Sequence, residues 1–308
     1  MWQGIAETQM DQRQRSEAEN AKLRVMLDEQ IRLMKSLERQ VVKNRSTVEL
    51  LSWKLPAGPK RGLRACGKPS PLDTASIELD MQKTVLEMLG QVDRVVMDAR
   101  FQDVVAGEVL QKTECHTDKR DGIVVEAMEA RMLPADCQAS AKALWNLLTR
   151  HTTPHKTMVH EDIQTGDKTV RRVFEALLDF PKVTGHFRAK LIHQFFYARD
   201  RVVILTHALM DPMQINDKPI DGLFTRTRQW HVLESANISG DQPATLLRMY
   251  YVSTPHIFDQ KMPTSARRQG LGILSNFLMQ SAPVYSSIHR QMLENRLMED
   301  LLGMNMCL

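Results

Sequence analysis

The spacing of hydrophobic and polar positions changes along the chain, and each change predicts a different kind of element. Residues 11–51 contain no proline or glycine, and their apolar residues recur at helical spacing, which predicts one long helix. The segment "SIELDMQKTVLEMLGQVDRVVMDARF" keeps that period and predicts an amphipathic helix of about six turns. From Thr157 onward the period becomes two, which is typical of half-buried strands.

Several shorter segments complete the pattern of predicted elements. "GIVVEAMEARML" predicts a strand, and "DCQASAKALWNLLTR" predicts a helix capped by Asp136. The later segments rich in β-branched and aromatic residues predict strands that are separated by turn-forming residues, among them Gly185 and Gly240. Because the connections are too short for helical crossovers, we expect an antiparallel sheet.

The end of the chain predicts another long helix, and Pro283 is expected to kink or split it. The order of elements predicts an α+β fold in which a curved antiparallel sheet packs on a long C-terminal helix, with the helices on one face. Residues 53–71 are basic and rich in proline and glycine, and they predict an extended linker. The expected organisation is therefore a helix at 1–52, a linker at 53–71 and a domain at 72–302.

The N-terminal helix also carries a heptad pattern, which indicates a coiled coil. A buried asparagine at a seam position can fix the register of such a pair. The same apolar stripe also fits a helix that packs on its own domain, so dimerisation and docking remain alternatives. The seam positions that we expect in a dimer interface are Asn20, Leu23, Leu27, Met34, Leu37 and Val41.

Composition narrows the class of protein. The chain has 308 residues, of which 43% are hydrophobic, enough for a globular core. Its four cysteines form no C-x-x-C pair, its first residues lack the apolar core of a signal peptide, and no apolar run is long enough to span a bilayer. We therefore expect a cytoplasmic or nuclear protein without disulfides or transmembrane segments.

Direct DNA binding is not expected, although residues 1–70 carry the excess positive charge behind the net charge of +4. The first 22 residues contain Arg13, Arg15 and Lys22 against four acidic residues. A basic helix that grips the major groove must neutralise phosphates, and this segment is poorly suited to do so. DNA could then be reached only through a partner or through a basic region that this chain lacks.

Enzyme signatures are absent from the sequence. It contains no G-x-S-x-G motif, and "GLGI" at 270–273 has no third glycine for a dinucleotide loop. His151, His155 and His160 lack the spacing and companion ligands of a metal site. We therefore predict no catalytic residue, no metal and no cofactor.

The segment "LIHQFFYARDRVVILTHA" predicts a hairpin that turns at 199–200. This turn pairs His193 with Thr206 and Phe195 with Ile204 on the face that we expect to point inward. His193 and Thr206 then form a polar pair on an apolar wall, which can orient a ligand or simply satisfy each other. The candidate ligand contacts are His193, Phe195, Tyr197, Thr206, Arg172 and Tyr250.

Several segments resemble successive blocks of the START-like proteins of oomycetes, often labelled mating-specific or bZIP-like. The blocks are "VVEAMEARMLPADCQASAKALWNLL", "RRVFEALLDF", "YARDRVVILTHALMDP" and "RTRQWHVLES". The front, "WQGIAETQMDQRQRSEAENAKLRVMLDEQIRLMKSLERQV", is similar to the helix that precedes the domain in that family. The resemblance implies a helix-grip fold, a cavity between the sheet and the final helix, and an N-terminal region related to leucine-zipper factors.

Two functions fit these features best, and a third, an enzyme that uses the same cavity, would require a histidine or carboxylate of perturbed pKa inside it. The first is non-enzymatic binding of a lipid or other apolar small molecule in a START-like cavity, with the N-terminal helix serving in homodimerisation or in docking to a helix partner. The alternative is a bZIP-related transcriptional regulator that acts through a partner or a missing basic region.

Overall fold

The computed structural model describes residues 70–74, 76–101, 109–118, 122–150, 155–198, 201–238 and 242–301. The predicted N-terminal helix and most of the linker lie outside these described residues. So do the proposed dimer contacts, which are Asn20, Leu23, Leu27, Met34, Leu37 and Val41.

The described residues form four α-helices and nine β-strands. The helices are α1 (Ile77–Leu89), α2 (Val92–Val96), α3 (Cys137–Arg150) and α4 (Thr264–Leu301). The first strands are β1 (Leu110–Asp118), β2 (Gly122–Leu133), β3 (Lys156–Thr165), β4 (Thr169–Phe180) and β5 (Val183–Tyr197). The remaining strands are β6 (Arg201–Ile215), β7 (Lys218–Pro219), β8 (Leu223–Ile238) and β9 (Gln242–Ile257).

All nine strands belong to one sheet with the order β1-β2-β9-β8-β6-β5-β4-β3, and the short β7 pairs with β6. Every pairing is antiparallel. One face of this curved sheet packs on α3 and α4, and we call it the inner face. The predicted α+β fold, an antiparallel sheet on a long C-terminal helix, is confirmed.

The opposite face, which we call the outer face, is also covered, and the expectation that helices lie on one face only is wrong. Helices α1 and α2 pack there against apolar side chains of the central strands. The Trp230 side chain is buried, and its indole N–H donates a hydrogen bond to the Met88 carbonyl at 2.9 Å. Central strands such as β6 are therefore apolar on both sides, since each face meets a helix.

The predicted six-turn helix is two shorter helices. The first ends at Leu89, and Gly90 caps it before the second begins at Val92. Glycine costs about 1 kcal/mol in a helix interior, so a break at this position is inexpensive. After the break, Val92 and Val95 both point into the core against the outer face.

The hairpin of β5 and β6 has the predicted register. His193 pairs with Thr206 and Phe195 pairs with Ile204, while the turn at 199–200 lies outside the described residues. The cap of α3 is also confirmed, because Asp136 Oδ1 accepts hydrogen bonds from the backbone N–H groups of the next turn at 2.9 Å.

Two local predictions are corrected. Helix α4 continues through Pro283, so the predicted split does not occur. The single backbone hydrogen bond that proline removes is offset by packing on either side of it along the helix. Gly185 lies inside β5, and the turn falls before it. A Cβ atom at Gly185 would lie 2.2 Å from the Phe187 ring and 2.9 Å from the Phe277 ring, so this glycine makes room for aromatic packing.

Candidate ligand-binding cavity

A cavity of about 180 Å³ lies between the inner face of the sheet and the helices α3 and α4. Strands from β2 to β9 form one wall, and α3 and α4 form the other. The apolar lining residues are Ala127, Leu147, Leu148, Phe174, Leu178, Phe180, Leu191, Ala208, Met210, Met249, Phe277, Leu278 and Ala282. The polar lining residues are Lys156, Arg172, His193, Thr206, Thr227, Gln229, Tyr251, Ser281, Tyr285, Ser286 and His289.

The predicted polar pair lies in the middle of this wall. His193 Nδ1 and Thr206 Oγ1 are 2.8 Å apart, and the two residues are 4% and 7% exposed. Burial, with a smaller contribution from the charge of Arg172, lowers the pKa of His193 to about 3. The imidazole is therefore neutral near pH 7. The two side chains are hydrogen-bonded to each other, and both line the cavity.

Two cationic side chains enter the cavity from the neighbouring strands β3 and β4. Arg172 is 6% exposed, and its Nε donates a hydrogen bond to Glu161 Oε1 at 2.7 Å. A second nitrogen of the same guanidinium bonds that carboxylate. Lys156 Nζ lies 3.6 Å from the centroid of the Phe174 ring, in a cation–π contact. One end of an otherwise apolar cavity is thus positively charged.

Desolvation lowers the pKa of Lys156 and of His289 at this end. Burial lowers the pKa of Lys156 to about 8, and the charge of Arg172 adds to the effect. Burial also lowers the pKa of His289, on α4, to about 4, with a smaller contribution from Lys156. At neutral pH the histidines of the cavity are therefore uncharged, while Lys156 and Arg172 carry the positive charge.

An ionic network connects β2 to α4: Arg131 and Glu129 are buried, whereas the side chain of Glu294 is 50% exposed. The Arg131 side chain is 4% exposed, with Nε 3.1 Å from Glu129 Oε1 on the same strand and Nη1 2.5 Å from Glu294 Oε1 on α4. Ser286, whose side chain lines the cavity, donates a hydrogen bond to the second oxygen of Glu129. These four side chains thus make two contacts between β2 and the helix that closes the cavity, Arg131 with Glu294 and Glu129 with Ser286.

Two of the predicted contacts lie on the inner face but outside the cavity. Phe195 packs edge-on against Trp145 of α3, with ring centroids 5.5 Å apart. Tyr197 is 65% exposed, because β5 ends there beyond the cover of the helices. The placement of both side chains in the cavity is therefore corrected, whereas His193, Thr206 and Arg172 do line it.

The placement of Tyr250 is also corrected, because this side chain lies on the outer face. Its ring packs against Trp230 at 5.6 Å, and its hydroxyl donates a hydrogen bond to Glu126 Oε1 at 2.6 Å. Burial raises the pKa of Tyr250, and the Glu126 carboxylate raises it further. Adjacent residues of a strand point to opposite faces, and the neighbouring Tyr251 lines the cavity instead.

The expected cavity lies against the final helix, but none of the α4 residues that line it was among the predicted ligand contacts. The lining positions of α4 are spaced three and four residues apart, which is one stripe of a helix. The spacing itself is present in the sequence. A search for apolar periodicity does not find the stripe, because it contains both apolar and polar side chains. Its members are Leu278, Ser281, Ala282, Tyr285, Ser286 and His289.

The described part of the chain places no three His, Cys, Asp or Glu side chains close enough to hold a metal ion. Among the described helices, none is long and apolar enough to span a bilayer.

Comparisons with solved structures find domains of similar architecture at low similarity. A STAR-related lipid transfer protein from Xanthomonas axonopodis is 13% identical, with a TM-score of 0.32, and the match covers 60% of this chain and 98% of that one. Zhui aromatase/cyclase from a Streptomyces species is 10% identical, with a TM-score of 0.33 and coverage of 58% and 96%. Human STARD10 is 7% identical, with a TM-score of 0.29 and coverage of 61% and 73%.

No protein-family model matches the chain. No curated protein matches it either. Structural scores of this size identify neither a family nor a ligand. The fold described above rests on the strand order of this chain and on the packing of its sheet against α4.

Proposed function

We propose that the domain binds an apolar small molecule in the cavity between the sheet and α4, without transforming it. The observation that carries this proposal is the cavity itself: an interior of about 180 Å³ whose walls are mostly apolar and into which polar side chains such as His193, Thr206 and Arg172 point. Ligand sites have this composition, because apolar walls supply most of the binding free energy and a few polar groups fix the orientation.

The volume of the cavity limits the size of the ligand that it can hold. Typical sites for drug-sized ligands enclose about 300–1,000 Å³, whereas a dry cavity of about 150 Å³ accepts benzene. The 180 Å³ available here suits a molecule with one or two rings, or a short alkyl chain. A two-chain lipid would require α4 to move away from the sheet.

Filling the cavity is expected to abolish binding. In Ala208→Phe, the new ring enters the cavity from the middle of β6, and the affinity for 2-naphthamide, an uncharged two-ring probe, falls at least about tenfold. Isothermal titration calorimetry on the full-length protein measures the change. Ala139→Phe is the matched control, because Ala139 is exposed on α3 and its replacement leaves the cavity open.

A second filling variant, Ala282→Phe, enters from α4 and separates the effect of lost volume from damage to β6. Unfolding curves of all three variants report whether the domain remains folded. Undiminished binding of 2-naphthamide to both folded filling variants would show that the probe binds elsewhere, and the proposal would then fail.

We further propose that the N-terminal helix joins two chains, or docks on a partner, through its heptad seam. Introducing lysine at both Leu27 and Leu37 places charge in that seam, so sedimentation should show a shift from dimer to monomer. Lysines at Asp28 and Ser36, which lie off the seam, should leave the dimer intact. A parent protein that sediments as a monomer would contradict the homodimer.

Membership of the oomycete family, the role as a bZIP-related regulator, and a cytoplasmic or nuclear location remain predictions from the sequence.

A further inference from the structure

The charges at the end of the cavity near β3 and β4 do not balance. The cations there are Lys156 and Arg172, and one carboxylate, that of Glu161, faces them. The Glu161 carboxylate already accepts hydrogen bonds from two nitrogens of the Arg172 guanidinium. Among the described residues, no acidic side chain lies within 4 Å of Lys156 Nζ. The Arg172–Glu161 pair has no net charge, so the charge of Lys156 is left unneutralised in the cavity.

An unneutralised charge in the cavity destabilises the folded protein unless an anion binds next to it. The half-buried ammonium of Lys156 loses part of its hydration, and the ring of Phe174 compensates for only part of that loss. The neighbouring imidazoles supply no negative charge, since neutral His193 and His289 can only donate or accept hydrogen bonds. Among the described residues, no further anion faces Lys156, and this favours an anion that is brought by the ligand.

We infer that the ligand of this cavity is a monocarboxylate, whose apolar body fills the cavity while its carboxylate binds Lys156. This inference rests on the proposed function and specifies the class of ligand. A single negative charge matches the single unneutralised cation, whereas a dianionic phosphate monoester would leave excess negative charge buried. The lysine presents three donors on a flexible stem, which suits a carboxylate that arrives with the ligand.

The inference is tested with two probes of the same shape, 2-naphthoate, which is anionic at neutral pH, and 2-naphthamide, which is uncharged. A charge-assisted hydrogen bond of ordinary strength corresponds to roughly tenfold or more in affinity. The full-length protein should therefore bind naphthoate at least about tenfold more tightly than naphthamide in calorimetry at pH 7.

Replacing Lys156 by methionine removes the charge and keeps the length of the stem. This variant should bind both probes with about the affinity of the parent for naphthamide. Lys83→Met makes the same change in net charge at an exposed position on α1, and it should retain the preference for naphthoate. Naphthamide binding also confirms that K156M is folded and that its cavity is open.

The affinity for naphthoate should also depend on pH. Above about pH 8, Lys156 of the free protein loses its proton, and the affinity falls by up to about tenfold for each pH unit. The other charged or titratable groups at this end are Arg172, Glu161, His193, His289, Tyr251 and Tyr285. The two histidines are already neutral above about pH 4, so they do not produce this change. Naphthamide affinity should stay level over the same range.

The outcomes separate the two proposals. Equal affinity for the two probes, or a preference for naphthoate that persists in Lys156→Met, would overturn the carboxylate inference while leaving the binding function in place. Failure of both probes to bind the parent protein would overturn the proposed function, and the inference with it.

Discussion

Replacing Arg131 by methionine lowers the free energy of unfolding by about 3–5 kcal/mol, the usual effect of removing one partner from a buried ion pair. Arg131 is buried between Glu129, which is itself 4% exposed, and Glu294 of α4. Without the guanidinium, the Glu129 carboxylate keeps the hydrogen bond from Ser286 but loses its counterion. Urea unfolding of the parent and the variant at pH 7 measures the loss.

A matched control lies on the same helix. Arg296 is exposed and pairs with Glu299 and Asp300 on the surface of α4, so Arg296→Met should change stability by less than about 1 kcal/mol. Adding Glu129→Gln to Arg131→Met should recover part of the loss, because no unpaired charge then remains buried at that position. An Arg131→Met variant as stable as the control would show that the network does not hold the helix.

The same substitution should affect binding. Because Arg131 ties β2 to α4, and Ser286 of that helix lines the cavity, a weakened network allows α4 to separate from the sheet more often. We expect 2-naphthamide to dissociate faster from Arg131→Met than from Arg296→Met, a change that stopped-flow fluorescence of the probe can follow.

The second large effect is a loss of stability in mild acid. Burial lowers the pKa of both His193 and His231 to about 3, whereas a histidine of the unfolded chain titrates near 6.5. As the pH falls below 6.5, the unfolded chain binds protons that the folded domain does not bind, so the free energy of unfolding decreases. At pH 5 the decrease is about 2 kcal/mol for each of these two histidines.

Urea unfolding at several values between pH 7.5 and 4.5 tests this expectation. His193→Gln should lower the slope of stability against pH, because one fewer buried imidazole resists protonation. Thr206→Val is the control, since it removes the hydrogen-bond partner of His193 but keeps the imidazole buried, and desolvation is the main cause of the lowered pKa. If His193→Gln keeps the full slope of the parent, the buried imidazole is not its source.

The sequence by itself determined the elements whose signals are local. Alternation of polar and apolar side chains identified β4 and β5, and the length of the turn fixed the pairing of His193 with Thr206, because a two-residue turn leaves one register. The cap of α3 was likewise visible, since Asp136 bonds backbone groups only two and three residues away. The edge strand β1 was missed, because its mostly exposed side chains carry no such alternation.

Only the tertiary structure decided which side chains share the cavity. Lys156 and His289 lie on a strand and a helix that are far apart in the chain, and their closeness depends on how α4 crosses the sheet. The positions of the Tyr197 and Tyr250 side chains could not be predicted from local sequence patterns either. A strand pattern shows which residues share a face, but burial depends on which helix covers that face and where its cover ends. Packing between distant segments therefore created the site from residues whose local patterns had predicted only strands and a helix.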